Sequence, residues 1–291
     1  MIVGLIGLGA MGAPMAMHLH KAGMLNVVGN RSPGKIAEFT AAHADVHGAM
    51  GTTDFAKCDV VVLNVSLDSD VLQNVMDLAR VLKPGAIVVD HSTVSRDTAL
   101  QAQKILNERG VHFMDAPVSG GVEGARNGKL SIMVGASAED LAIVHPLLET
   151  YGARITHMGP VGNGQATKAV NQVMVAGINE AVCEAMAIGE ALNLDPELLI
   201  PTLMSGAASN WFLEKRGATM LNSQFTPGFK NAHMLKDLRI VQGMADNLGL
   251  HLPALRQAES DYAELAESRA LPDADTSSLI SLKRKNGDGG N

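Results

Sequence analysis

The sequence predicts an α/β protein in two parts: an open parallel sheet wound with helices, then an all-helical part, joined by one long helix. Three observations carry this. Short apolar strands alternate with helical stretches over the first 160 residues, a glycine-rich turn separates the first strand from the first helix, and after residue 160 the strand pattern stops. The division is therefore 1–160 and 161–291, with the second part opening on a helix at 161–193.

The first strand, 2–6, runs into Gly7-Leu8-Gly9-Ala10-Met11-Gly12. A helical pattern follows over 13–22 and stops at Gly23, and a second strand at 26–29 ends on Asn30-Arg31-Ser32. Strand, G-x-G-x-x-G, helix, strand is the context a dinucleotide fingerprint requires. Gly7 permits the tight turn, Gly9 lets the backbone approach a pyrophosphate, and Gly12 lets the helix pack close on the strand. Leu8, Ala10 and Met11 complete the loop, and the unpaired N–H groups of the helix start face the phosphates. This makes the first part a Rossmann-type domain. Where an acid usually holds the ribose of NAD, this chain has Asn30, followed by Arg31 and Ser32. A carboxylate would repel a 2′-phosphate, whereas arginine forks onto one and a serine hydroxyl donates beside it. The local chemistry favours NADP (as NADPH) over NAD.

Near-continuous apolar runs at 59–65 and 86–91 read as parallel strands covered on both faces, with helical stretches near 70–82 and 97–109 between and after them. Loops at the carboxyl ends of such strands carry the coenzyme. Asn64, Val65 and Thr93 stand there as nicotinamide-side candidates, although ordinary turn and cap chemistry fits each of them equally well. Residues 112–121 read as one strand ending in Ser119-Gly120-Gly121, whose converging amides and hydroxyl make a small anion nest. Two further strands, 131–135 and 154–158, flank a helix at 138–150.

The helix at 161–193 is apolar on nearly every side, which predicts burial, and it would span about 50 Å. Set into it are Lys168, Asn171, Gln172 and Asn179, at spacings that share one face. A lysine inside a buried helix costs free energy unless it is paired or used; the alternative is a lysine snorkelling at the helix rim. Helices at 196–205, 209–222, 231–248 and 253–268 follow, and the polar tail 281–291, with Lys283-Arg284-Lys285, reads as a solvated end.

Composition bounds the partners. Of 291 residues, 46% are hydrophobic and 18% charged, enough for a real core, and a net charge of −7 argues against nucleic acid or an anionic membrane. Cys58 and Cys183 are too few for a disulfide framework or zinc cluster, so no metal is expected. No apolar run reaches 18 residues and the start lacks the pattern of a cleaved leader, which leaves a reducing cytoplasm as the expected compartment.

Taken together, GLIGLGAMG at the start, DHSTV at 90–94, DAPVSGG at 115–121, GNGQATKAVNQ at 162–172 and FKNAHMLKDL at 229–238 resemble the β-hydroxyacid dehydrogenase family over nearly the whole chain. That resemblance implies oxidoreduction of a small β-hydroxy acid or semialdehyde, with Lys168 as general acid or base. It implies that Ser119, with the amides of Gly120 and Gly121, holds the substrate carboxylate. It brings Lys236 to nicotinamide and substrate, and Asn-Arg-Ser looks like the NADP-preferring branch. An amide one turn after the lysine holds the substrate; Asn171 is favoured and Gln172 stays open. Trp211 either lines the pocket or packs in the helical part. The resemblance further implies a homodimer or homotetramer built through the helical part. An NAD-dependent 3-hydroxyisobutyrate-type dehydrogenase and a non-catalytic nucleotide-sensing relative are the rival readings; Lys168 and Ser119 together speak against the second.

Overall fold

The computed structural model describes residues 1–269 and 271–284. They form two compact units, one from Met1 to Lys168 and one from Ala169 onward, so the division falls inside the long helix rather than at residue 160.

In the first unit, β1 (Val3–Ile6), α1 (Gly12–Lys21), β2 (Leu25–Gly29), α2 (Pro33–Ala42) and β3 (His47–Gly48) are followed by β4 (Val60–Leu63), α3 (Asp68–Leu78), β5 (Ile87–Asp90) and α4 (Arg96–Asn107). Then come β6 (His112–Asp115), β7 (Val118–Ser119), α5 (Gly121–Arg126), β8 (Leu130–Gly135), α6 (Ala138–Leu148) and β9 (Gly152–Gly159). The sheet order is β3-β2-β1-β4-β5-β6-β8-β7, with β9 paired to β8. The strands from β3 to β6 are all parallel, while β6 and β7 meet β8 antiparallel. The order reverses between β1 and β4, which opens the crevice where α/β sheets take their ligands. Both faces of β4 and β5 are covered. Val60 and Val62 lie in one cluster with Met15 and Leu19 of α1, and Val61 and Leu63 in another with Val71, Val75 and Leu106 of α3 and α4.

Residues 112–121 do not form one strand. Pro117 has no N–H to give a ladder, and the chain breaks at Ala116-Pro117 into β6 and β7, both against β8. Ser119, half-buried, ends β7.

The long helix, α7, runs Asn163–Ala191, slightly shorter than 161–193. In the second unit it is followed by α8 (Pro196–Met204), α9 (Trp211–Leu221), α10 (Asn231–Asn247) and α11 (Pro253–Ala263), which continues as a π-helical turn at Glu264–Ser268. A 3₁₀ turn at Thr276–Leu279 leads into α12 (Ile280–Lys283). The expectation that α7 is buried all round is wrong. Ala176, Val182, Cys183 and Met186 enter the core of the second unit, but Val170 and Met174 are each 64% exposed and Ile188 is 62% exposed. The helices of this unit cover one side of α7, and a helix apolar all round leaves its other side in solvent.

Asn179, on the same face as Lys168, is buried, and its amide donates to the Tyr262 hydroxyl at 2.9 Å. The tail is not a solvated end as far as Arg284. Lys283 pairs with Glu180 at 2.6 Å and with Asp261, and Arg284 with Glu190 at 2.7 Å. Lys285 and the residues after it lie outside the described residues. Among the described residues no helix is long and apolar enough to cross a membrane, and no cluster of side chains could hold a metal ion.

Candidate active site

The glycine loop leaves β1 at the switch point. Gly7 has φ of +109°, and a Cβ there would stand 2.0 Å from the Asn64 carbonyl oxygen. A Cβ on Gly12 would meet the Gly7 carbonyl oxygen at 1.8 Å, so this glycine lets α1 start tight against the turn. Gly9 differs, with no heavy atom within 4 Å of its Cβ position. Asn30 is spent on architecture: its side-chain oxygen accepts from the Leu8 amide at 2.9 Å, and its NH₂ donates to the Ser32 carbonyl at 3.2 Å. It fixes the glycine loop to the Arg31-Ser32 turn. Ser32 caps α2 without a side-chain bond to it, ahead of Pro33. The Arg31 side chain is 88% exposed and stands 4.0 Å from Asp70.

The loops after β4 and β5 are bolted together by Ser92, whose hydroxyl accepts from the Val65 amide at 2.9 Å. Thr93 is half-buried in the same turn. The start of α7 joins them. Gln165 donates to the Ser92 carbonyl at 2.8 Å and accepts from the Val94 amide at 3.2 Å. Asp115, at the end of β6, accepts from the amides of Gly162 and Gln165 at 2.7 and 2.8 Å. A Cβ on Gly164 would strike the Asp115 and Met133 carbonyl oxygens, so only glycine lets the helix come this close. Lys168 follows Gln165 by one turn and is buried at 8% exposure. Ser119 ends β7, and Gly120 and Gly121 take φ of +126° and +61°, a backbone that glycine adopts without strain.

In the second unit a chain of bonds involves the next site candidates. Asn171 donates to the Gln172 side-chain oxygen at 2.8 Å, Gln172 donates to Asp237 at 2.8 Å, and Lys236 pairs with Asp237 at 3.1 Å. Gln172 is 2% exposed and bonded at both ends of its amide, whereas Asn171 is half-buried. Trp211 is 52% exposed, with the Arg216 guanidinium 5.6 Å from its ring centre. Asp115, Gln165 and Asp237 were not among the sequence candidates, whereas Ser92 was placed with Thr93 on the coenzyme side of the sheet. The signal was there for Asp115, which ends an apolar run, while Gln165 and Asp237 stand among other polar residues and carried none.

Residues 2–159 match the family model for the NAD-binding domain of 6-phosphogluconate dehydrogenase. Residues 162–283 match that for the NAD-binding region of NADP-dependent 3-hydroxyisobutyrate dehydrogenase. The 2-hydroxy-3-oxopropionate reductase of Escherichia coli is 37% identical over 87% of this chain and 87% of its own. An uncharacterised oxidoreductase of Synechocystis is 38% identical over 90% of this chain and 91% of its own. The chain belongs to the β-hydroxyacid dehydrogenase family. Among solved structures of the family, 3-hydroxyisobutyrate dehydrogenase from Mycobacterium tuberculosis, with L-serine, is similar at a TM-score of 0.87 and 30% identity, covering 98% of this chain and 99% of that one.

As a β-hydroxyacid dehydrogenase the protein is an NAD(P)-linked oxidoreductase, and its own residues fit a dinucleotide. The open space at Gly9 suits a pyrophosphate, and the turn that Asn30 braces presents Arg31 and the Ser32 hydroxyl beside the start of α2.

Proposed function

We propose that this dehydrogenase is an NADPH-dependent reductase of small semialdehydes and related oxo acids, reversible toward the hydroxy acid. Tartronate, methylmalonate and succinic semialdehydes and glyoxylate are the candidate substrates. The bound coenzyme supplies the hydride. Ser119 and the amides of Gly120 and Gly121 hold the substrate carboxylate, and Asn171 supplies an amide one turn along α7 from Lys168. Lys168 gives its proton to the carbonyl oxygen as negative charge grows there, and takes it back in the reverse direction.

The observation that carries this reading is a buried lysine one turn beyond a helix start that Gln165 ties to the Ser92-Val94 turn. Lys168→Ala is expected to leave NADPH binding intact, read by quenching of coenzyme fluorescence, while turnover falls about 10²-fold or more. Near-full turnover would make the lysine structural. The NADP preference rests on Arg31 and Ser32. Arg31→Ala should raise KM for NADPH well above any change for NADH, and equal effects on the two coenzymes would remove that assignment. Following NADPH loss across the four candidate substrates ranks them.

A further inference from the structure

The crevice over the glycine loop is crossed by an ion pair. In the sheet, β1 lies between β2 and β4. The loop that leaves β1 is therefore flanked by the Arg31-Ser32 turn after β2 and by the first turn of α3 after β4. Neighbouring strands stand about 4.8 Å apart, which puts these two flanks about 10 Å from each other. Arg31 reaches over from one flank and Asp70 stands on the other, with Arg31 Nη1 4.0 Å from Asp70 Oδ1.

The two partners are held differently. The Asp70 side chain is 28% exposed in the first turn of α3, and its other oxygen accepts from the Leu67 amide at 3.2 Å. Asp68, the other acid of that turn, is engaged with the start of α4. It accepts from the Ser95 amide at 2.9 Å and from the Thr98 hydroxyl at 2.7 Å. The Arg31 side chain is 88% exposed, and among the described residues no hydrogen bond holds it and no other acid pairs with it. The carboxylate is the fixed member of the pair and the guanidinium the movable one.

A carboxylate in this place acts against a 2′-phosphate in two ways. It competes for the arginine that would take the phosphate, and its own charge repels the phosphate. The 2′-hydroxyl of NADH is uncharged and meets neither effect. We propose that Asp70 is a coenzyme-specificity residue that opposes Arg31: it holds the guanidinium across the crevice and so narrows the preference for NADPH over NADH. The end of β2 lacks the acid that usually selects NAD, and Asp70 brings one in from the far side of the same crevice. This rests on the reading of Arg31 as the group that takes the 2′-phosphate, and deepens it by naming a second residue in the choice.

The test reads binding, as Kd for NADPH and for NADH from coenzyme fluorescence, at low and at high salt. Asp70→Asn keeps an oxygen for the Leu67 amide and removes the charge. It should lower Kd for NADPH about two- to fivefold, the range of an exposed ion pair, and change Kd for NADH by less. The gain should shrink as ionic strength rises from about 0.02 M to about 0.5 M, because salt screens exposed charges. Asp70→Glu, which keeps the charge, should hold the ratio of the two constants near that of the wild type. With Arg31→Ala already in place, Asp70→Asn should gain less, since no guanidinium is left to release. If Arg31→Ala weakens both coenzymes equally, the NADPH reading falls and this inference with it. If Arg31→Ala acts on NADPH but Asp70→Asn leaves the ratio unchanged or moves it toward NADH, this inference alone is overturned.

Discussion

His91 and Asp115 follow and end neighbouring strands of the sheet, and burial pushes their proton affinities in opposite directions. The His91 ring donates from Nδ1 to the Ala116 carbonyl at 2.5 Å, which leaves Nε2 to accept from the Tyr151 hydroxyl at 2.8 Å. Fully enclosed, it is held neutral, with its pKa lowered from 6.5 to about 4. The folded state then binds fewer protons than the unfolded one between those values, so its contribution is whole above pH 6.5 and is lost as pH falls toward 4. Asp115 runs the other way. Burial outweighs the amides of Gly162 and Gln165 and raises it from 3.8 to about 6, so its contribution is present below pH 3.8 and is lost as pH rises through 6. Each shift corresponds to about 3 kcal/mol, and the two offset one another. His91→Asn, which keeps a donor for Ala116, should therefore make the protein gain stability relative to wild type as pH falls from 6.5 to 4. Asp115→Asn should make it lose stability over the same range. Urea midpoints across that window check both, and variants that keep the wild-type pH profile would remove the account.

At the scale of the element, α7 matters most where it begins. Gln165→Met keeps the length of the side chain but leaves the Ser92 carbonyl and the Val94 amide without their partner. That should cost about 1–3 kcal/mol of stability. Because Lys168 lies one turn later, kcat should fall by more than coenzyme binding does; equal losses in the two would make Gln165 structural only. The ends of elements also show what was legible in the sequence. The glycine loop and the Asn-Arg-Ser turn could be read because their chemistry lies within about thirty residues and depends on local backbone. The structural use of Asn30 could not be, since its bond to the Leu8 amide is set by the pairing of β1 with β2 and not by the residues next to it. The break at Pro117 was legible in principle, because proline interrupts a ladder, but the apolar run around it concealed the turn. The exposed side of α7 was not legible, since an all-round apolar helix does not say which side its own unit will cover. The same holds for Asn179, whose partner Tyr262 is 83 residues away.

Each unit has its own buried apolar clusters, on the two faces of the sheet in the first and among α7 to α12 in the second, and Lys283 is one of the cations that tie the second unit together at its last described helix. Lys283, 13% exposed, meets Glu180 of α7 and Asp261 of α11, whose side chains are each 12% exposed. This joins α12 to α7, far away in sequence, and to α11, the α-helix before it. Burial raises the Glu180 carboxyl, against the pull of Lys283. Lys283→Met leaves two carboxylates in a shared, poorly solvated space, and breaking a buried pair this way costs about 3–5 kcal/mol. The cost should fall on the second unit alone, and the chain carries its own probe for that, because Trp211 is the only tryptophan and lies in α9. In urea the tryptophan signal of Lys283→Met should change at a lower midpoint than in wild type, while far-ultraviolet circular dichroism keeps a later transition from the sheet unit. Adding Glu180→Gln and Asp261→Asn should restore part of the loss by removing the uncompensated charge. A single transition, with both signals moving together, would mean that the two cores unfold as one.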